Sequence, residues 1–264
     1  MSIEKWLRAN SLKMNPPKRS FSLLGTRQAS TSFFFEMDVH RFTPSKNIKV
    51  LGVIIDHSLT WDLGEPGVTG SPPMYVSTCI LVSLYRLRRH FTTEALLTII
   101  RAHVFSHILY CLSVWASASG NQLKRIQKLL HFATRVVTGA RRTDHMSPVL
   151  RSLGWLDIRD AISERDCTRV FRALNNPDAP RAMHRLVTRR RDTVSRDTRL
   201  ARSDQLELPR VRLAATQRIF SYHAATSWNL LPEDVLQSSS IEELKGRLRA
   251  IVELCDLDLV ISDL

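Results

Sequence analysis

Residues 121–137 read NQLKRIQKLLHFATRVV, and the spacing of their apolar side chains decides the fold class. These side chains recur three or four positions apart, which is the spacing of one face of an α-helix. The apolar face comprises Leu123, Ile126, Leu129, Leu130, Ala133, Val136 and Val137. Lys124, Arg125, Lys128 and Arg135 lie off this face, and Gly139 suits a helix C-cap. The stretch therefore predicts an amphipathic helix with basic residues outside its buried face.

Similar helical patterns extend from this stretch in both directions. Thr92 or Thr93 can cap a helix over 95–115, whose residues are apolar almost all round, so a buried central helix is predicted there. Further helices are predicted at 75–89, 147–153, 156–174 and 218–231, and from a cap near Ser240 through Ile251. The fold class is therefore mainly α.

The N-terminal part reads as a small α+β unit. Residues 2–13 predict a short amphipathic helix, and apolar runs at 20–25 and 48–55 predict two strands, with a third at 33–35. The second run is nearly continuous, as expected of a strand covered on both faces. Residues 61–74 are rich in glycine and proline, which predicts a loop. We expect an α+β unit at 1–60, a helical bundle at 75–140 and a basic helical region at 141–264.

The balance of charge favours a polyanionic partner. The 264 residues include 38 Lys and Arg against 25 Asp and Glu, a formal net charge of +13. Nucleic acids and anionic membranes attract such a chain, and a merely solvated basic surface is the alternative. The densest basic stretch is 181–202, whose eight arginines and few apolar residues predict a weakly structured arm.

Cysteine usage and apolar segments indicate an intracellular protein without a membrane span. The four cysteines, Cys79, Cys111, Cys167 and Cys255, form no Cys-x-x-Cys pair, and a reduced compartment, cytoplasmic or nuclear, fits that spacing. The N-terminus carries charges where a secretory signal needs an apolar run. Arg101 interrupts the longest apolar stretch. We therefore expect neither secretion nor a membrane span.

The sequence contains no acidic cluster suited to two-metal phosphoryl transfer. Such chemistry needs carboxylates that hold two divalent ions about 4 Å apart. Asp56 ends an apolar run but stands alone, so a turn or helix cap is the simpler interpretation. His103, His107 and Cys111 recur every four residues and so share a helix face. Because no fourth ligand is evident, we expect a packed face with hydrogen-bonded imidazoles rather than a metal site.

An ordered set of short motifs resembles part of a known enzyme family. The first motifs are Trp6, Leu12-Lys13-Met14-Asn15, Lys49-Val50-Leu51-Gly52-Val53-Ile54-Ile55-Asp56 and Leu59-Thr60-Trp61. The later motifs are Leu84-Tyr85-Arg86-Leu87-Arg88-Arg89, Tyr110-Cys111 with Val114-Trp115, the stretch at 121–137, Leu153-Gly154-Trp155-Leu156 and Trp228-Asn229-x-Leu231-Pro232. In this order they resemble the segment after the catalytic aspartates in reverse transcriptases of LINE-type (non-LTR, jockey-like) retrotransposons.

The resemblance implies a role for each region. Residues 1–60 are similar to the end of the polymerase palm, and 75–140 to the helical thumb that packs against the template–primer duplex. The region at 141–264 is similar to the part that follows the thumb. In that family the metal-binding aspartates precede this segment, so we expect no polymerase activity from this chain alone and no cofactor in it, although the parent enzyme uses Mg²⁺. RNA, DNA and the upstream half of the polymerase are the implied partners.

The resemblance also implies site residues. Lys18 matches a lysine near the phosphates of the incoming nucleotide, and its role is vestigial here because Arg19 replaces a small hydroxyl residue. Leu51, Gly52 and Val53 are similar to the primer-grip turn, where glycine allows close approach of the backbone to the primer. The implied nucleic-acid contacts are Arg86, Arg88, Arg89, Lys124, Arg125, Lys128, Arg189, Arg190, Arg191, Arg196 and Arg199.

Two other functions stay open. A non-catalytic RNA- or DNA-binding protein would use the same basic residues without any link to a polymerase. A translated relic of a transposon would have no selected function, and the glycine- and proline-rich interruption at 61–74 favours that alternative. Membrane binding is less favoured, because no aromatic residues interleave the arginines at 181–202.

Overall fold

The computed structural model describes residues 3–12, 20–23, 34–37, 40–51, 53–56, 72–110, 112–193, 204–211, 217 and 219–254. The chain divides into two compact parts, an N-terminal unit, Met1–Asp62, and a helical unit, Leu63–Leu264. Helices account for most of the described residues and strands for few, so the mainly α fold class is confirmed. Within the described residues, no helix combines the length and the apolar character that a membrane crossing requires.

The N-terminal unit begins with a short helix, α1 (Ile3–Ala9), inside the predicted range 2–13. The Asn10 side-chain amide donates a hydrogen bond to the Trp6 carbonyl oxygen (2.8 Å), which closes the last turn. Ser11 then takes φ 54°, the left-handed conformation that ends many helices. The predicted short helix is confirmed.

Two antiparallel hairpins follow α1. β1 (Phe35–Met37) pairs with β2 (His40–Phe42), and β3 (Asn47–Val50) pairs with β4 (Val53–Asp56). The third predicted strand, at 33–35, overlaps β1 at its last residue. Each hairpin pairs two strands that are neighbours in the sequence, so neither pairing depends on strands from elsewhere in the chain.

Residues 20–23 are not a strand, so the strand predicted at 20–25 is wrong over its described part. The Ser45 N–H donates a hydrogen bond to the Phe21 carbonyl oxygen (2.8 Å), which attaches this segment to the hairpins. A short apolar run has no periodicity that separates a strand from an extended loop, and the prediction failed for that reason.

The apolar run at 48–55 is a hairpin rather than the single strand predicted from it. Val50 pairs with Val53 across a turn that begins at Leu51, which takes φ 49°. Tight hairpin turns use positive φ because that twist matches the flanking strands. Leu51 is 83% exposed, whereas Val53 and Ile54 are buried. A strand covered on both faces was predicted here, and this holds for β4, whose consecutive residues Val53 and Ile54 point to opposite faces and are both buried, whereas β3 is largely exposed.

The helical unit is built from short and medium helices. In chain order they are α2 (Pro72–Leu87), α3 (Thr93–Ile100), α4 (Ser106–Leu109), α5 (Leu112–Trp115), α6 (Gly120–Thr138), α7 (Met146–Ser152), α8 (Ile158–Asn175), α9 (Arg181–Leu186), α10 (Arg190–Thr193), α11 (Phe220–Asn229), α12 (Glu233–Leu236) and α13 (Ile241–Leu254). Ser240 Oγ accepts a hydrogen bond from the Glu243 N–H (3.1 Å), so the predicted cap of α13 is confirmed. Except at 95–115, the helices predicted from residue 75 onward are confirmed to within a few residues at each end.

Helix α2 begins at Pro72, so the loop predicted at 61–74 is wrong over its last three residues. Proline is tolerated in a first helical turn because the N–H groups there have no intrahelical partner. Met74 packs against the hydrophobic core and Ser77 has no exposed surface, so this turn is part of the packed unit. Residues 61–71 lie outside the described residues.

A first hydrophobic core extends from α2 to the start of α8. The residues that α6 buries in it include six of the seven predicted from the sequence, and the seventh, Leu123, is partly buried against the same core. The six are Ile126, Leu129, Leu130, Ala133, Val136 and Val137. Gly139 takes φ 73° and its N–H donates to the Arg135 carbonyl oxygen (2.9 Å), so the predicted C-cap is confirmed. The core continues through Leu150, Trp155 and Ile162, past residue 140.

The helix predicted over 95–115 is interrupted and buried on one face only, which corrects the expectation of a continuous buried helix. Its N-cap is confirmed, since Thr92 Oγ1 accepts a hydrogen bond from the Ala95 N–H (3.3 Å). The backbone becomes π-helical over Arg101–Phe105 and leaves the helix at Tyr110, with ψ 124°. The buried apolar residues recur every four positions: Leu96, Ile100, Val104, Ile108 and Leu112. A spacing of four residues is longer than the roughly 3.6 residues of one α-helical turn, so on a continuous α-helix the later residues would rotate away from the core. The wider π turn brings them back to it.

A second hydrophobic core surrounds the C-terminal half of α8, together with α11 and α13. Trp228 is fully buried, and its indole N–H donates to the Asp204 carbonyl oxygen (3.0 Å). The Asn229 amide accepts from the Leu206 N–H (2.7 Å) and donates to the Leu206 carbonyl oxygen (2.9 Å). Helix α8 contributes to both cores and thereby joins them.

The arginine-rich stretch is structured over 181–193, contrary to the weakly structured arm predicted for 181–202. It forms α9 and α10, with a backbone bridge between Arg189 and Leu206. Val187 is buried in the second core. The composition of the stretch could not predict that Val187 is buried, because the residues that enclose it are distant in sequence. The stretch from 194 onward lies outside the described residues.

Candidate nucleic-acid interface

The exposed face of α6 presents three cations in one line. Lys124 and Lys128 are one turn apart and Arg135 follows seven residues later, which keeps all three within about 40° on an ideal helix. At about 1.5 Å per residue they span roughly 16 Å along the axis. Both lysines are exposed and Arg135 is half-buried. None of the three forms an ion pair with a described residue, and they are termed the α6 stripe.

Arg125 belongs to the same helix but not to the stripe. It lies about 100° from Lys124, and its guanidinium donates a hydrogen bond to Gln122 Oε1 (3.3 Å). The structure therefore brings together two of the three α6 cations expected to contact nucleic acid. Sequence reasoning left Arg135 out of the site, although its spacing of seven from Lys128 identifies the shared face.

The 3₁₀ turn after α2 lies against the C-terminal end of α6. The Arg88 guanidinium lies beside Gly139, the C-cap of α6, where an added Cβ atom would meet it at 3.4 Å, and it lies 5.3 Å from the Tyr85 ring centroid. The Tyr85 and Phe132 rings pack with centroids 6.0 Å apart, which joins the two helices. A cation at a helix C-terminus interacts favourably with the helix dipole. Arg88 therefore stabilises the α2–α6 junction, whatever else it contacts.

More cations surround this junction. Arg86 and Arg89 are exposed at the end of α2, and Arg141 and Arg142 are exposed just beyond α6. Asp144 accepts a hydrogen bond from the Arg141 N–H (2.6 Å) and brings one carboxylate to this end of the unit. Arg141 and Arg142 were not among the contacts expected from the sequence. Their position directly after the Gly139 cap would have indicated that they lie at this end of α6.

The three consecutive arginines at 189–191 are held by neighbouring side chains. Arg189 Nε lies 3.9 Å and Arg191 Nη1 3.3 Å from Asp204 Oδ1. The Arg190 guanidinium donates a hydrogen bond to Gln205 Oε1 (3.1 Å). These arginines belong to the packing of α10 against residues 204–206, and a phosphate would have to compete with Asp204 for two of them.

The remaining implied site residues fall in the N-terminal unit or outside the described chain. Leu51 is exposed at the turn between β3 and β4, and Val53 is buried at the start of β4. Four residues lie outside the described residues: Lys18, Gly52, Arg196 and Arg199.

A polar network beside the stripe attaches α6 to the start of α8. Gln127 Oε1 accepts a hydrogen bond from the Ile158 N–H (2.8 Å), and its amide donates to the Asp157 carboxylate. The same amide nitrogen lies 2.8 Å from His131 Nε2. Burial lowers the pKa of His131, with Asp157 opposing this shift and Arg135 adding to it. His131 is therefore neutral at pH 7 and adds no charge beside the stripe.

Among the described side chains, no three His, Cys, Asp or Glu residues come together as a metal site. His103 is exposed, so the packed face predicted for the histidine series is wrong there, and Val104 occupies the packed position instead. His107 is half-buried, and Cys111 lies outside the described residues. Asp56 is buried at the end of β4.

Comparison of the chain with protein-family models, with curated proteins and with solved structures finds no match. The fold and the site define a mainly α protein with a line of cations on one helix.

Proposed function

We propose that this chain is the C-terminal, nucleic-acid-binding segment of a LINE-type retrotransposon reverse transcriptase, which binds a template–primer duplex and does not polymerise alone. The observation that carries the binding function is the α6 stripe, three aligned cations with no ion pair to a described residue. The parentage rests on the ordered motifs from Trp6 to Pro232.

A line of cations that form no ion pair with a described residue suits a phosphate backbone. Duplex DNA carries one negative charge per roughly 1.7 Å of helix axis, so a span of about 16 Å faces several phosphates. Lysines and arginines that contact phosphates position a protein on a duplex without reading its bases. The stripe therefore supports duplex binding that depends strongly on salt and weakly on sequence.

The turn between β3 and β4 supports the primer-grip part of the proposal. Leu51 is exposed at this turn in the left-handed conformation. The residue that follows is a glycine, which adds no side chain to hinder close approach.

The binding function is tested by removing the stripe. The triple variant Lys124→Gln, Lys128→Gln, Arg135→Gln should flatten the slope of log affinity against log salt by about 2.7 for a duplex, because three phosphate contacts are lost. A matched control, Arg172→Gln, Arg181→Gln, Arg210→Gln, removes the same charge from other exposed positions. Fluorescence anisotropy with a labelled RNA–DNA hybrid measures both. Equal slopes for the two variants would show that only net charge matters.

The parentage is tested by primer extension. The chain alone should give no extension with Mg²⁺, because its sequence offers no paired carboxylates after a tyrosine. Addition of a polypeptide that carries the family's upstream catalytic half should give extension that depends on both components. Duplex binding without such complementation favours the non-catalytic RNA- or DNA-binding protein. Absence of binding above the control favours the transposon relic.

A further inference from the structure

The segment that ends α2 mixes arginines with exposed aromatic rings. Residues 85–91, which comprise the end of α2, the 3₁₀ turn and the residue after it, read YRLRRHF. Tyr85 is 50% exposed and Phe91 is 39% exposed, and the exposed Arg86 and Arg89 lie between them in the sequence. The hydrophobic core does not enclose these two aromatic residues, so a large part of each is accessible to a ligand.

The C-terminal end of α6 brings further arginines to the same place. The Arg88 guanidinium lies beside Gly139, where an added Cβ atom would meet it at 3.4 Å. Arg141 and Arg142, which are both exposed, follow Gly139 in the sequence. Arg135, the last cation of the α6 stripe, donates a hydrogen bond from Nε to the Arg141 carbonyl oxygen (3.4 Å). The stripe therefore leads into this group of arginines.

The junction patch, defined as residues 85–91 with Arg141 and Arg142, carries more positive charge than its surroundings offset. Its five arginines form no ion pair with a described residue. The carboxylate of Asp144 accepts a hydrogen bond from the Arg141 N–H (2.6 Å) and supplies one negative charge. The C-terminus of α6 supplies the equivalent of about half a negative charge. Most of the positive charge is thus uncompensated, which favours an anionic ligand.

The junction patch differs from the α6 stripe because it contains aromatic rings. A duplex presents its phosphates but hides the faces of its paired bases, so an aromatic ring stacks readily only on an unpaired base. The ring of Phe132, which packs against the first core, lies 6.0 Å from the Tyr85 ring between centroids and holds that ring in place. The Arg88 guanidinium lies 5.3 Å from the Tyr85 centroid, and guanidinium planes also stack on bases. Rings and guanidinium groups together suit unpaired nucleotides rather than a second stretch of duplex.

We propose that the junction patch binds single-stranded nucleic acid, as the continuation of a strand whose duplex part lies along the α6 stripe. The exposed rings stack on its unpaired bases, and the arginines contact its phosphates. The placement of the duplex rests on the proposed function, whereas the affinity for unpaired bases rests on the junction patch itself. The preferred substrate is therefore a duplex with a single-stranded extension rather than a blunt duplex.

The test compares three ligands that separate the contribution of the bases from that of the phosphates. They are a blunt RNA–DNA hybrid, the same hybrid with a single-stranded extension of about four nucleotides, and the extended hybrid with abasic nucleotides in its extension. The extension is placed on the RNA strand in one set and on the DNA strand in another. Fluorescence anisotropy with the full chain should show that a base-bearing extension binds about tenfold more tightly than the abasic one, because at least one base stacks. Equal affinities for the base-bearing and abasic extensions in both sets would overturn the proposal.

Removal of the rings locates the effect. Tyr85→Leu with Phe91→Leu keeps apolar side chains but removes both rings, so the base-bearing and abasic extensions should bind equally. The blunt hybrid has no unpaired base and should bind as before, which also shows that the variant is folded. Tyr75→Leu removes an exposed ring of α2 outside the patch and should retain the preference for bases. A retained preference in the double variant would overturn the proposal.

Arg86→Gln with Arg89→Gln serves where the loss of the rings impairs folding. It keeps both rings and should weaken both extended hybrids several-fold, because both carry the phosphates. Undiminished affinity for both would overturn the arginine contacts and the patch with them. The triple variant of the α6 stripe tests the proposed function separately. If it binds the blunt hybrid as tightly as its charge-matched control does, and still prefers bases in the extension, the duplex placement is wrong and the junction patch is not.

Discussion

The two clusters of basic residues in the helical unit differ in what surrounds them. The α6 stripe lies on the exposed face of a helix, and no described acidic residue pairs with it. Arg189, Arg190 and Arg191 lie beside the second core, where Asp204 and Gln205 already occupy their guanidinium groups. The second cluster has more charge per residue of sequence, but the first has more charge that is free to meet a phosphate.

The difference shows that local charge density is a poor guide to a binding surface. A phosphate contact gains free energy when counter-ions are released, and a cation that already has a protein partner releases fewer of them. The arginines at 189–191 also pack against residues 204–206, so part of their interaction energy already stabilises the fold. The exposed lysines of α6 contribute to no such packing.

The largest expected effect comes from charge reversal in the two clusters. Lys124→Glu with Lys128→Glu should weaken duplex binding on the order of 100-fold at about 100 mM salt, because two attractive contacts become repulsive. Arg189→Glu with Arg191→Glu changes net charge equally but should weaken binding less than about tenfold. Fluorescence anisotropy with the same RNA–DNA hybrid measures both.

Thermal unfolding serves as the control for that comparison. The α6 variant should unfold at nearly the same temperature as the unmodified chain, since both lysines are exposed. The Arg189 and Arg191 variant should unfold earlier, because Asp204 then faces two like charges. If the second variant binds more weakly than the first, the ranking of the clusters is wrong.

The α6 stripe could be predicted from sequence because its determinants are local. A helix repeats every 3.6 residues, so the positions of Leu129 and Val136 also fix which way Lys128 and Arg135 face. The hairpin at 48–55 could not be predicted in the same way. Its turn depends on the positive φ of Leu51, which an apolar sequence does not reveal.

The second-largest effect should come from detaching the segment that holds the arginines. Asn229 makes two hydrogen bonds to the backbone of Leu206, and Asn229→Ala leaves both backbone groups without those partners. The free energy of unfolding should fall by about 1–3 kcal/mol. Urea denaturation measures this, and the exposed Asn175→Ala serves as the control. An unchanged stability would mean that residues 204–206 do not anchor the second cluster.

Long-range contacts explain what else the sequence could not reveal. Val187 is the anchor that orders the start of the arginine-rich stretch, and its neighbours in the second core come from distant helices. The junction patch likewise depends on how the ends of α2 and α6 meet. Neither feature leaves a periodic pattern, because each is defined by packing between elements rather than within one.

A smaller effect is expected from releasing the arginines without unfolding their surroundings. Asp204→Asn removes the carboxylate near Arg189 and Arg191 but keeps the backbone carbonyl that accepts from the Trp228 indole. Stability should fall by less than about 1 kcal/mol, as for other partly exposed ion pairs. Duplex affinity should rise a few-fold, since two guanidinium groups become available to phosphates.

Asp192→Asn is the matched control for this release. It removes one negative charge beside Arg191, at a longer distance (4.0 Å) and from a more exposed carboxylate. Both variants change net charge by the same amount, so a larger gain for Asp204→Asn isolates the effect of pairing. Equal gains in the two variants would show that general electrostatic attraction governs the affinity of the second cluster.

The smallest expected effect concerns protonation of His131, which borders the α6 stripe. Burial lowers its pKa in the folded chain below the ordinary value of 6.5. As pH falls below 6.5, the unfolded chain takes up this proton first, so the free energy of unfolding falls until the lowered folded pKa is also passed. His131→Gln lacks this contribution, and its stability should therefore decline less between pH 7.5 and 5.5 in urea denaturation. His103→Gln, at an exposed position, should follow the unmodified chain. An identical decline in all three proteins would remove His131 as the origin of any pH dependence beside the stripe.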